Sequence, residues 1–246
     1  MNAANKMDCI LLHGWGVTNQ VWEGFITKFD GFDNILTPCL YSIARQSKDK
    51  SFKSVAKTLS KIIKKDSVLV TWSIGGLIAL RLLPLTKKVK AIIFIASTPC
   101  FLNQEGWPNV IQKDKLDELK RRFFKNEKGT LSYFSGLITN GDINPSQSSK
   151  YVRQYLAKER QNEILSFWLN ELEADDQRKQ FATMGIPSHT ILGENDVLIK
   201  SKIKNQIENL NSSSHCTIIQ DCGHTPFVSK PKETYNLIYQ FLNERI

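Results

Sequence analysis

The sequence predicts an α/β protein in which helices flank a mostly parallel sheet of about six strands. Almost continuous apolar runs at residues 9–12 and 67–70 are typical of strands that are buried on both faces, as in a parallel sheet. Four more strands are expected, just before residue 37 and at residues 89–95, 186–193 and 214–219. Segments with helical periodicity lie between these runs, which is the alternation expected of βα units.

A helix predicted across residues 53–65 carries a dense positive charge. Lysines recur every four residues from Lys53 to Lys65 and would form one cationic face. The opposite face is apolar and would pack on the sheet, through Val55, Leu59, Ile62 and Ile63. The simplest interpretation is a solvated helix surface. Nucleic-acid binding is the alternative, but the chain has no recognition-helix motif or aromatic interleaving, so we expect no nucleic-acid partner.

The length of 246 residues suits one domain with an insertion, and the net charge is +9. The five cysteines are an odd number without the CxxC spacing of metal sites, which fits free thiols in a reducing cytosol. Residues 1–8 lack the apolar segment of a signal peptide, and no window approaches the roughly eighteen apolar residues of a membrane span. We therefore expect a soluble, monomeric cytoplasmic protein.

A long insertion interrupts the sheet-forming sequence. We expect an α/β core at residues 1–102 and 183–246 and a helical lid at residues 103–182, which would cover a substrate pocket. Breaks between its helices are expected at Gly129, at residues 140–142 and at Pro145. Its apolar residues fit four amphipathic helices, containing in order Leu116, Leu119, Phe123 and Phe124; Leu131, Phe134, Leu137 and Ile138; Val152, Tyr155 and Leu156; and Ile164, Leu165, Trp168, Leu169 and Leu172.

Ser73 stands where an apolar strand is predicted to turn sharply into a helix. Residues 71–75 (TWSIG) follow the G-x-S-x-G pattern of a nucleophile elbow, except that Thr71 replaces the first glycine. A tight turn crowds the positions two residues before and after the serine, and threonine is the bulkiest side chain expected to fit there. The pattern indicates a nucleophilic serine, and the alternative is an ordinary serine at the start of a helix.

Asp196 and His224 follow Ser73 in the chain order Ser, Asp, His, which is that of an α/β-hydrolase. Each comes just after a predicted strand, at the edge where ligand sites of open parallel sheets collect. His224 would accept the serine proton, Asp196 would orient the imidazole, and no metal is needed. Competing residues are less well placed, on another loop, within strands or too near His224 in sequence: His13, His189, His215 and Asp221.

The loop after the first strand is expected to supply hydrogen-bond donors for a developing oxyanion. Residues 13–16 (HGWG) follow a buried strand directly, so the backbone amide of Trp15 can face the site. The amide of Ile74, at the start of the helix that follows Ser73, would be the second donor. The alternative is that the glycines only fix the shape of this loop and that its amides have no catalytic role.

Four segments indicate a particular family among the α/β-hydrolases: LHGWG at residues 12–16, TWSIGGL at 71–77, ASTPCF at 96–101 and GWP at 106–108. The first two specify an α/β-hydrolase only, whereas ASTPCF followed closely by GWP is a narrower signature. Together they resemble the BioH-type pimeloyl-[acyl-carrier protein] methyl ester esterases of biotin synthesis. The resemblance covers the chain from about residue 8 to its end.

The resemblance implies hydrolysis of the methyl ester of a pimeloyl chain on acyl-carrier protein, with release of methanol and no cofactor. The residues that it matches to a catalytic triad are Ser73, Asp196 and His224. Those that it matches to the oxyanion hole are Trp15 and Ile74. Those that it matches to the substrate are Trp15, Trp72 and Phe134, with plain core packing as the alternative for the last two.

The first part of the lid is basic, because residues 113–160 hold eleven basic and six acidic side chains. Such a surface favours docking of an acidic carrier protein by electrostatic steering. Candidate contacts are Arg121, Arg122, Lys125, Lys128, Lys150 and Arg153. The alternative is an ordinary solvated lid, since Gly129 and Tyr133 stand where the resemblance leads us to expect arginine.

Two other functions are compatible with the same sequence. One is a general short-chain carboxylesterase, or another α/β-hydrolase acting on a small ester, because a fold and a triad do not define the substrate. The other is a catalytically idle hydrolase that serves as a binding module, which the complete set of Ser73, Asp196 and His224 disfavours.

Overall fold

The structure, a computed structural model, describes residues 7–246. The six strands within this range are β1 (Asp8–Leu12), β2 (Ile35–Leu36), β3 (Ser67–Trp72), β4 (Val89–Ile95), β5 (Ser188–Gly193) and β6 (Ser214–Ile219). They form one sheet in the order β2-β1-β3-β4-β5-β6, and every neighbouring pair is parallel. The predicted sheet of about six parallel strands is therefore confirmed.

Twelve α-helices accompany the sheet in the same range. In chain order they are α1 (Glu23–Ile26), α2 (Leu40–Gln46), α3 (Phe52–Ile62), α4 (Ile74–Leu82), α5 (Lys113–Lys125), α6 (Glu127–Thr139), α7 (Pro145–Gln154), α8 (Asn162–Ala174), α9 (Arg178–Ala182), α10 (Lys204–Leu210), α11 (Pro226–Ser229) and α12 (Pro231–Arg245). Short 3₁₀ helices cover Asn19–Trp22, Leu83–Leu85, Glu159–Gln161 and Ser201–Ile203. The helices α5 to α9 all lie between β4 and β5.

The centre of the molecule is formed by β3, β4 and α4. Every residue of β3 is buried, and only Lys90 of β4 is exposed. Eight of the nine residues of α4 are also buried, as expected for a helix that is apolar on nearly all sides. The short turn from β3 to α4 is consequently held between two elements that are packed on all sides.

The helix α3 packs on the core as predicted, but its ends differ from the expectation. Val55 and Leu59 are fully buried, whereas Ile62 is 45% exposed because α3 ends there and the chain turns away. Lys65 lies beyond the helix, so the cationic face is shorter than the spacing suggested. The prediction that Ile62 packs on the sheet was wrong.

Four main helices, α5 to α8, form the inserted part, in agreement with the predicted helical lid. Phe123 is buried, but its neighbour Phe124 is 90% exposed, because successive residues of a helix point about 100° apart. The third helix ends at Gln154, so Tyr155 and Leu156 belong to the following segment. The division into residues 1–102, 103–182 and 183–246 stays a prediction.

Three sequence-based expectations concern what the chain lacks. The one about a signal peptide rests on residues 1–8, of which residues 1–6 lie outside the described range. From residue 7 to residue 246, no helix combines the length and apolar character needed to cross a bilayer. The five cysteines are all free thiols.

A buried ion pair ties the end of the lid to the helix behind Ser73. Arg81 of α4 donates from Nη2 to Asp175 Oδ1 at 2.6 Å and from Nε to Oδ2 at 3.2 Å. The Asp175 side chain is only 2% exposed, and its charge is balanced by this two-point contact, with Gln177 Nε2 as a further donor to Oδ1. The chain therefore re-enters the core at a defined position after α8.

Replacing Asp175 with alanine should lower the free energy of unfolding by about 3 kcal/mol, because the Arg81 guanidinium would stay partly buried without its partner. Urea denaturation followed by tryptophan fluorescence measures this change. Asp114→Ala, at an exposed lid position, is the control and should change stability by less than about 0.5 kcal/mol. Equal effects of the two substitutions would show that the ion pair contributes nothing specific.

Candidate active site

Ser73 occupies a strained turn between the last residue of β3 and the first residue of α4. Its backbone has φ 55° and ψ −125°, which lies in a region that residues with a side chain rarely adopt. Such a conformation costs on the order of 1–3 kcal/mol and persists only where the surroundings impose it. Strain at a serine between a buried strand and a buried helix is the geometry expected of a nucleophile elbow.

Hydrogen bonds from β4 and the loop after it hold this turn. The Ser73 amide donates to the carbonyl oxygen of Ile95 at 3.1 Å. The Ser73 carbonyl oxygen accepts from Ser97 Oγ at 2.7 Å and from the Gly76 amide at 3.0 Å. The sequence pattern does not predict this role for Ser97, although Ser97 belongs to the ASTPCF segment that carries the resemblance.

The structure explains how threonine replaces glycine two residues before Ser73. The side chain of Thr71 is completely buried, and its hydroxyl donates to the carbonyl oxygen of Ile93 at 3.0 Å. Two residues after Ser73 there is no such room, because a Cβ on Gly75 would lie 2.6 Å from the carbonyl oxygen of Leu12. The turn therefore requires glycine on the α4 side but tolerates threonine on the strand side.

Asp196 and His224 meet in a buried hydrogen bond at the end of the sheet. His224 Nδ1 lies 2.7 Å from Asp196 Oδ2, and both side chains are almost inaccessible to solvent. The other oxygen, Asp196 Oδ1, accepts from the amides of Leu198 at 2.8 Å and Ile199 at 3.0 Å. These contacts orient the carboxylate, which in turn holds the proton of the imidazole on Nδ1.

The second imidazole nitrogen, His224 Nε2, has no such contact in the described chain. It is buried and has no hydrogen-bond partner within residues 7–246. The loop of His224 is joined to the neighbourhood of Ser73 by Trp72, whose Nε1 donates to the His224 carbonyl oxygen at 2.8 Å. Ser73 Oγ and His224 Nε2 form no hydrogen bond in the described chain, and in free enzymes such contacts often tighten only when substrate binds.

The other histidines are occupied elsewhere. His13 Nε2 accepts from the Leu40 amide at 3.0 Å, so its proton is on Nδ1, which donates to the Gly14 carbonyl oxygen at 2.9 Å. Burial lowers the pKa of His189 to about 4, and its Nε2 lies 2.9 Å from a threonine hydroxyl. His215 and Asp221 are exposed, so they are poor candidates for a buried triad.

The loop at residues 13–16 lies directly against Ser73. A Cβ on Gly14 would come within 3.3 Å of Ser73 Cβ, so a side chain at this position would crowd Ser73. Neither the amide of Trp15 nor that of Ile74 donates a hydrogen bond inside the described range, and both residues border the cavity next to Ser73. Two free amides beside a serine are what an oxyanion hole requires.

A cavity of about 640 Å³ opens above Ser73, between the core and the lid. The core contributes Trp15, Ser73, Ile74, Phe101, Val197 and Leu198, and the lid contributes Leu116, Leu119, Phe134, Leu137, Leu169 and Leu172. Its volume and its mainly apolar wall suit an apolar acyl group. A depression of similar size at Trp107 and Arg178 is open to solvent and borders neither Ser73 nor His224.

Comparison with known proteins decides the family. The model of the alpha/beta hydrolase family matches residues 9–237. The chain belongs to this family. The fold agrees, since an esterase from Exiguobacterium antarcticum superimposes with a TM-score of 0.78 over 96% of this chain and 92% of the other, at 15% identity.

Similarity in sequence points to one group of esterases. A protein named pimeloyl-[acyl-carrier protein] methyl ester esterase from Proteus mirabilis (strain HI4320) is 29% identical, over 93% of this chain and 89% of its own. A protein of the same name from Pectobacterium carotovorum subsp. carotovorum (strain PC1) is 27% identical, over 93% and 91%. The resemblance inferred from the four segments is thus confirmed.

Two of the three expected substrate contacts border the cavity of this alpha/beta hydrolase. Trp15 and Phe134 do so, with their rings edge to face and their centroids 4.9 Å apart. Trp72 does not line the cavity: it is 1% exposed and packs against Trp22 and Phe227. Trp72 is therefore a core residue, as the alternative interpretation predicted, and its indole faces the backbone of His224.

The six candidate carrier contacts are all exposed, but only some lie near the cavity. Arg122 is at its mouth, where it pairs with Glu118 at 2.7 Å and lies 4.8 Å from the centroid of the Tyr133 ring. Lys150 and Arg153 border a groove between α6 and α7, and Arg153 also donates to Ser135 Oγ at 3.0 Å. The remaining three are farther along the α5–α6 surface: Arg121, Lys125 and Lys128.

The described residues contain no cluster of three His, Cys, Asp or Glu side chains that could hold a metal ion. Cys222 is near His224 in sequence, but burial raises the pKa of its thiol, which keeps it protonated and unreactive. The chemistry that this arrangement can perform is nucleophilic catalysis by Ser73 with His224 as base.

Trp72→Phe and Phe134→Ala should affect this hydrolase in different ways. Trp72→Phe leaves the buried carbonyl oxygen of His224 without its donor, so unfolding free energy should fall by about 1–2 kcal/mol while KM stays within twofold. Phe134→Ala removes part of the cavity wall and should raise KM for p-nitrophenyl butyrate about 10-fold. Denaturation and steady-state kinetics separate the two. A large KM increase in Trp72→Phe would place its indole against substrate after all.

Proposed function

We propose that this hydrolase is a serine carboxylesterase whose catalytic triad is Ser73, Asp196 and His224. The observation that carries the proposal is the buried hydrogen bond from His224 Nδ1 to Asp196 Oδ2, which leaves Nε2 free to take a proton. The strained turn at Ser73, next to Trp72 and its bond to the His224 loop, supports the same assignment. No other histidine in the described chain is buried beside a carboxylate in this way.

In the first half of the reaction, His224 Nε2 takes the proton of Ser73 Oγ as this oxygen attacks the ester carbonyl carbon. The carbonyl oxygen becomes negatively charged and is stabilised by the amides of Trp15 and Ile74. When the intermediate collapses, the bond to the alkoxy oxygen breaks, and His224 gives that oxygen its proton. The alcohol leaves, and the acyl group stays bound to Ser73.

In the second half, water attacks the acyl-enzyme. His224 Nε2 takes a proton from the water, a second tetrahedral intermediate forms, and the same two amides stabilise its oxyanion. Collapse returns the proton to Ser73 Oγ and releases the carboxylic acid. Asp196 keeps its charge throughout and stabilises the imidazolium that forms in each half.

We propose the methyl ester of pimeloyl-[acyl-carrier protein] as the substrate. The names of the similar proteins from Proteus mirabilis and Pectobacterium carotovorum support this assignment. An apolar cavity of about 640 Å³ suits a medium-length acyl chain whose ester end reaches Ser73. Lys115, Arg122 and Lys200 border the cavity together with one acid, Glu118, which pairs with Arg122. The rim therefore has a net positive charge, which favours an acidic carrier outside.

The alternative substrate is a small free ester, since a triad does not by itself select the acyl or alcohol group. A general short-chain carboxylesterase would need the same cavity but no docking surface on the lid. A reducing cytoplasm suits either enzyme, because all five cysteines are unpaired. The exposed lid cations are therefore the feature that separates the two assignments.

Ser73→Ala should abolish hydrolysis of p-nitrophenyl acetate to the background rate, and Asp196→Asn should lower kcat about 10⁴-fold, since the asparagine favours the wrong imidazole tautomer. Initial rates at saturating substrate measure both effects. Asp221→Asn, an exposed carboxylate near His224 in sequence, is the control and should keep near-normal activity. A wild-type rate equal to that of Ser73→Ala would refute the esterase proposal.

Carrier recognition should appear as a salt-dependent rate. The kcat/KM for methanol release from carrier-bound pimeloyl methyl ester should fall about 10-fold as ionic strength rises, while that for p-nitrophenyl acetate stays constant. Lys150→Glu should reproduce this loss at low salt. Lys61→Glu makes the same charge change on the exposed face of α3, away from the lid, and should have little effect.

Two results would favour the short-chain alternative. One is a kcat/KM with the carrier-bound ester that does not respond to salt. The other is an equal effect of Lys150→Glu and Lys61→Glu, which would mean that net charge rather than lid position matters.

A further inference from the structure

The turn between α6 and α7 reaches the loops that carry both Asp196 and His224. The His224 amide donates to the carbonyl oxygen of Ile138, in the last turn of α6, at 3.0 Å. Asn195, which precedes Asp196, lies against Gly141 and donates from Nδ2 to its carbonyl oxygen at 3.4 Å. A segment of the lid is therefore in direct contact with the two loops that hold the acid and the base.

The strongest of these contacts come from Asp142, which is buried at 5% exposure. One carboxylate oxygen, Oδ1, accepts from the Gly223 amide at 2.7 Å, and the other, Oδ2, accepts from Thr225 Oγ1 at 2.7 Å. Gly223 and Thr225 are the two residues that flank His224 in the chain. One lid carboxylate therefore binds the chain immediately before and immediately after His224.

A buried carboxylate is costly, so its position needs a physical reason. Burial raises the pKa of Asp142, and the hydrogen bonds from Thr225 and Gly223 act against that rise. The nearby hydroxyls of Ser148 and Ser229 act in the same direction. Both carboxylate oxygens accept from the His224 loop, so protein donors take the place of solvent. The two donors lie 81 and 83 residues away in sequence, so this contact links distant parts of the chain.

The opposite side of the same loop is held by the core. Trp72 Nε1 donates to the His224 carbonyl oxygen, and the Asn195 amide donates to the Cys222 carbonyl oxygen at 2.9 Å. Within residues 7–246 the imidazole makes a single hydrogen bond, to Asp196. Its direction toward Ser73 therefore depends on how firmly residues 223–225 are held.

We propose that Asp142 is a positioning residue, which fixes the orientation of His224 and couples the lid to the triad. This inference rests on the proposed esterase function for its kinetic consequences. Its structural consequence, a tighter loop at residues 222–225, does not. The lid of this chain would then do more than enclose substrate, because opening the α6–α7 turn would also loosen the base.

Kinetics test the positioning role. Asp142→Asn removes the charge and reverses the direction of the Thr225 hydrogen bond, and Asp142→Ala removes both contacts, so kcat for p-nitrophenyl butyrate should fall about 10-fold and about 100-fold. KM should stay within twofold, because Asp142 does not border the cavity. Rates are expressed per fluorophosphonate-reactive site, so that only folded enzyme is counted. Glu127→Gln, an exposed carboxylate on α6, is the matched control and should keep the wild-type kcat.

The Thr225 partner offers a conservative pair. Thr225→Ser keeps the hydroxyl and should keep at least half of kcat, whereas Thr225→Val removes the hydroxyl and should match Asp142→Asn. Equal kcat values for the serine and valine variants would overturn the role of this hydrogen bond. A kcat per reactive site in Asp142→Asn and Asp142→Ala that equals the wild type would overturn the proposal as a whole.

Hydrogen exchange tests the coupling without reference to activity. Asp142→Asn should speed amide exchange at least several-fold in peptides that cover residues 193–200 and 220–230, and leave β1, β3 and β4 unchanged. Unchanged exchange in those two segments would overturn the proposal even in an active enzyme. Wild-type activity no higher than that of Ser73→Ala would instead count against the esterase function, so the two failures are distinguishable.

Discussion

The candidate site depends above all on the hydrogen bond between His224 Nδ1 and Asp196 Oδ2. It lies out of contact with water, where an imidazole and a carboxylate interact more strongly than in solvent. Two amides, from Leu198 and Ile199, hold the carboxylate in place from the other side. Because this bond sets which imidazole nitrogen carries the proton, the chemistry available to Ser73 follows from it.

The sheet makes that bond possible by bringing distant residues to one edge. Asp196 follows β5 and His224 follows β6, and these strands are parallel neighbours, so both loops leave the sheet at the same end. Ser73 follows β3 at that end too, in a turn held by Ile95 and Ser97. The strained backbone conformation of Ser73 persists because β3, β4 and α4 are densely packed around it.

The lid contributes both to the cavity and to the triad loops. Its helices supply half of the apolar wall above Ser73, through residues such as Leu116, Phe134 and Leu169. Its end is tied to α4 by the Arg81–Asp175 pair, and its middle is tied to the His224 loop by Asp142. The insertion is consequently anchored at two points, close to α4 and close to His224.

The sequence by itself determined the strands, the elbow at Ser73 and the order of Asp196 and His224, because these features depend on short-range patterns. Apolar runs define buried strands, and a tight turn restricts the residues beside it, even with threonine at position 71. Only the tertiary structure decided that Trp72 supports His224 rather than substrate, that Phe124 faces solvent and that Asp142 binds Gly223 and Thr225. Those outcomes depend on which distant segments pack together, and the local pattern of apolar residues does not specify contacts between residues that are far apart in the sequence.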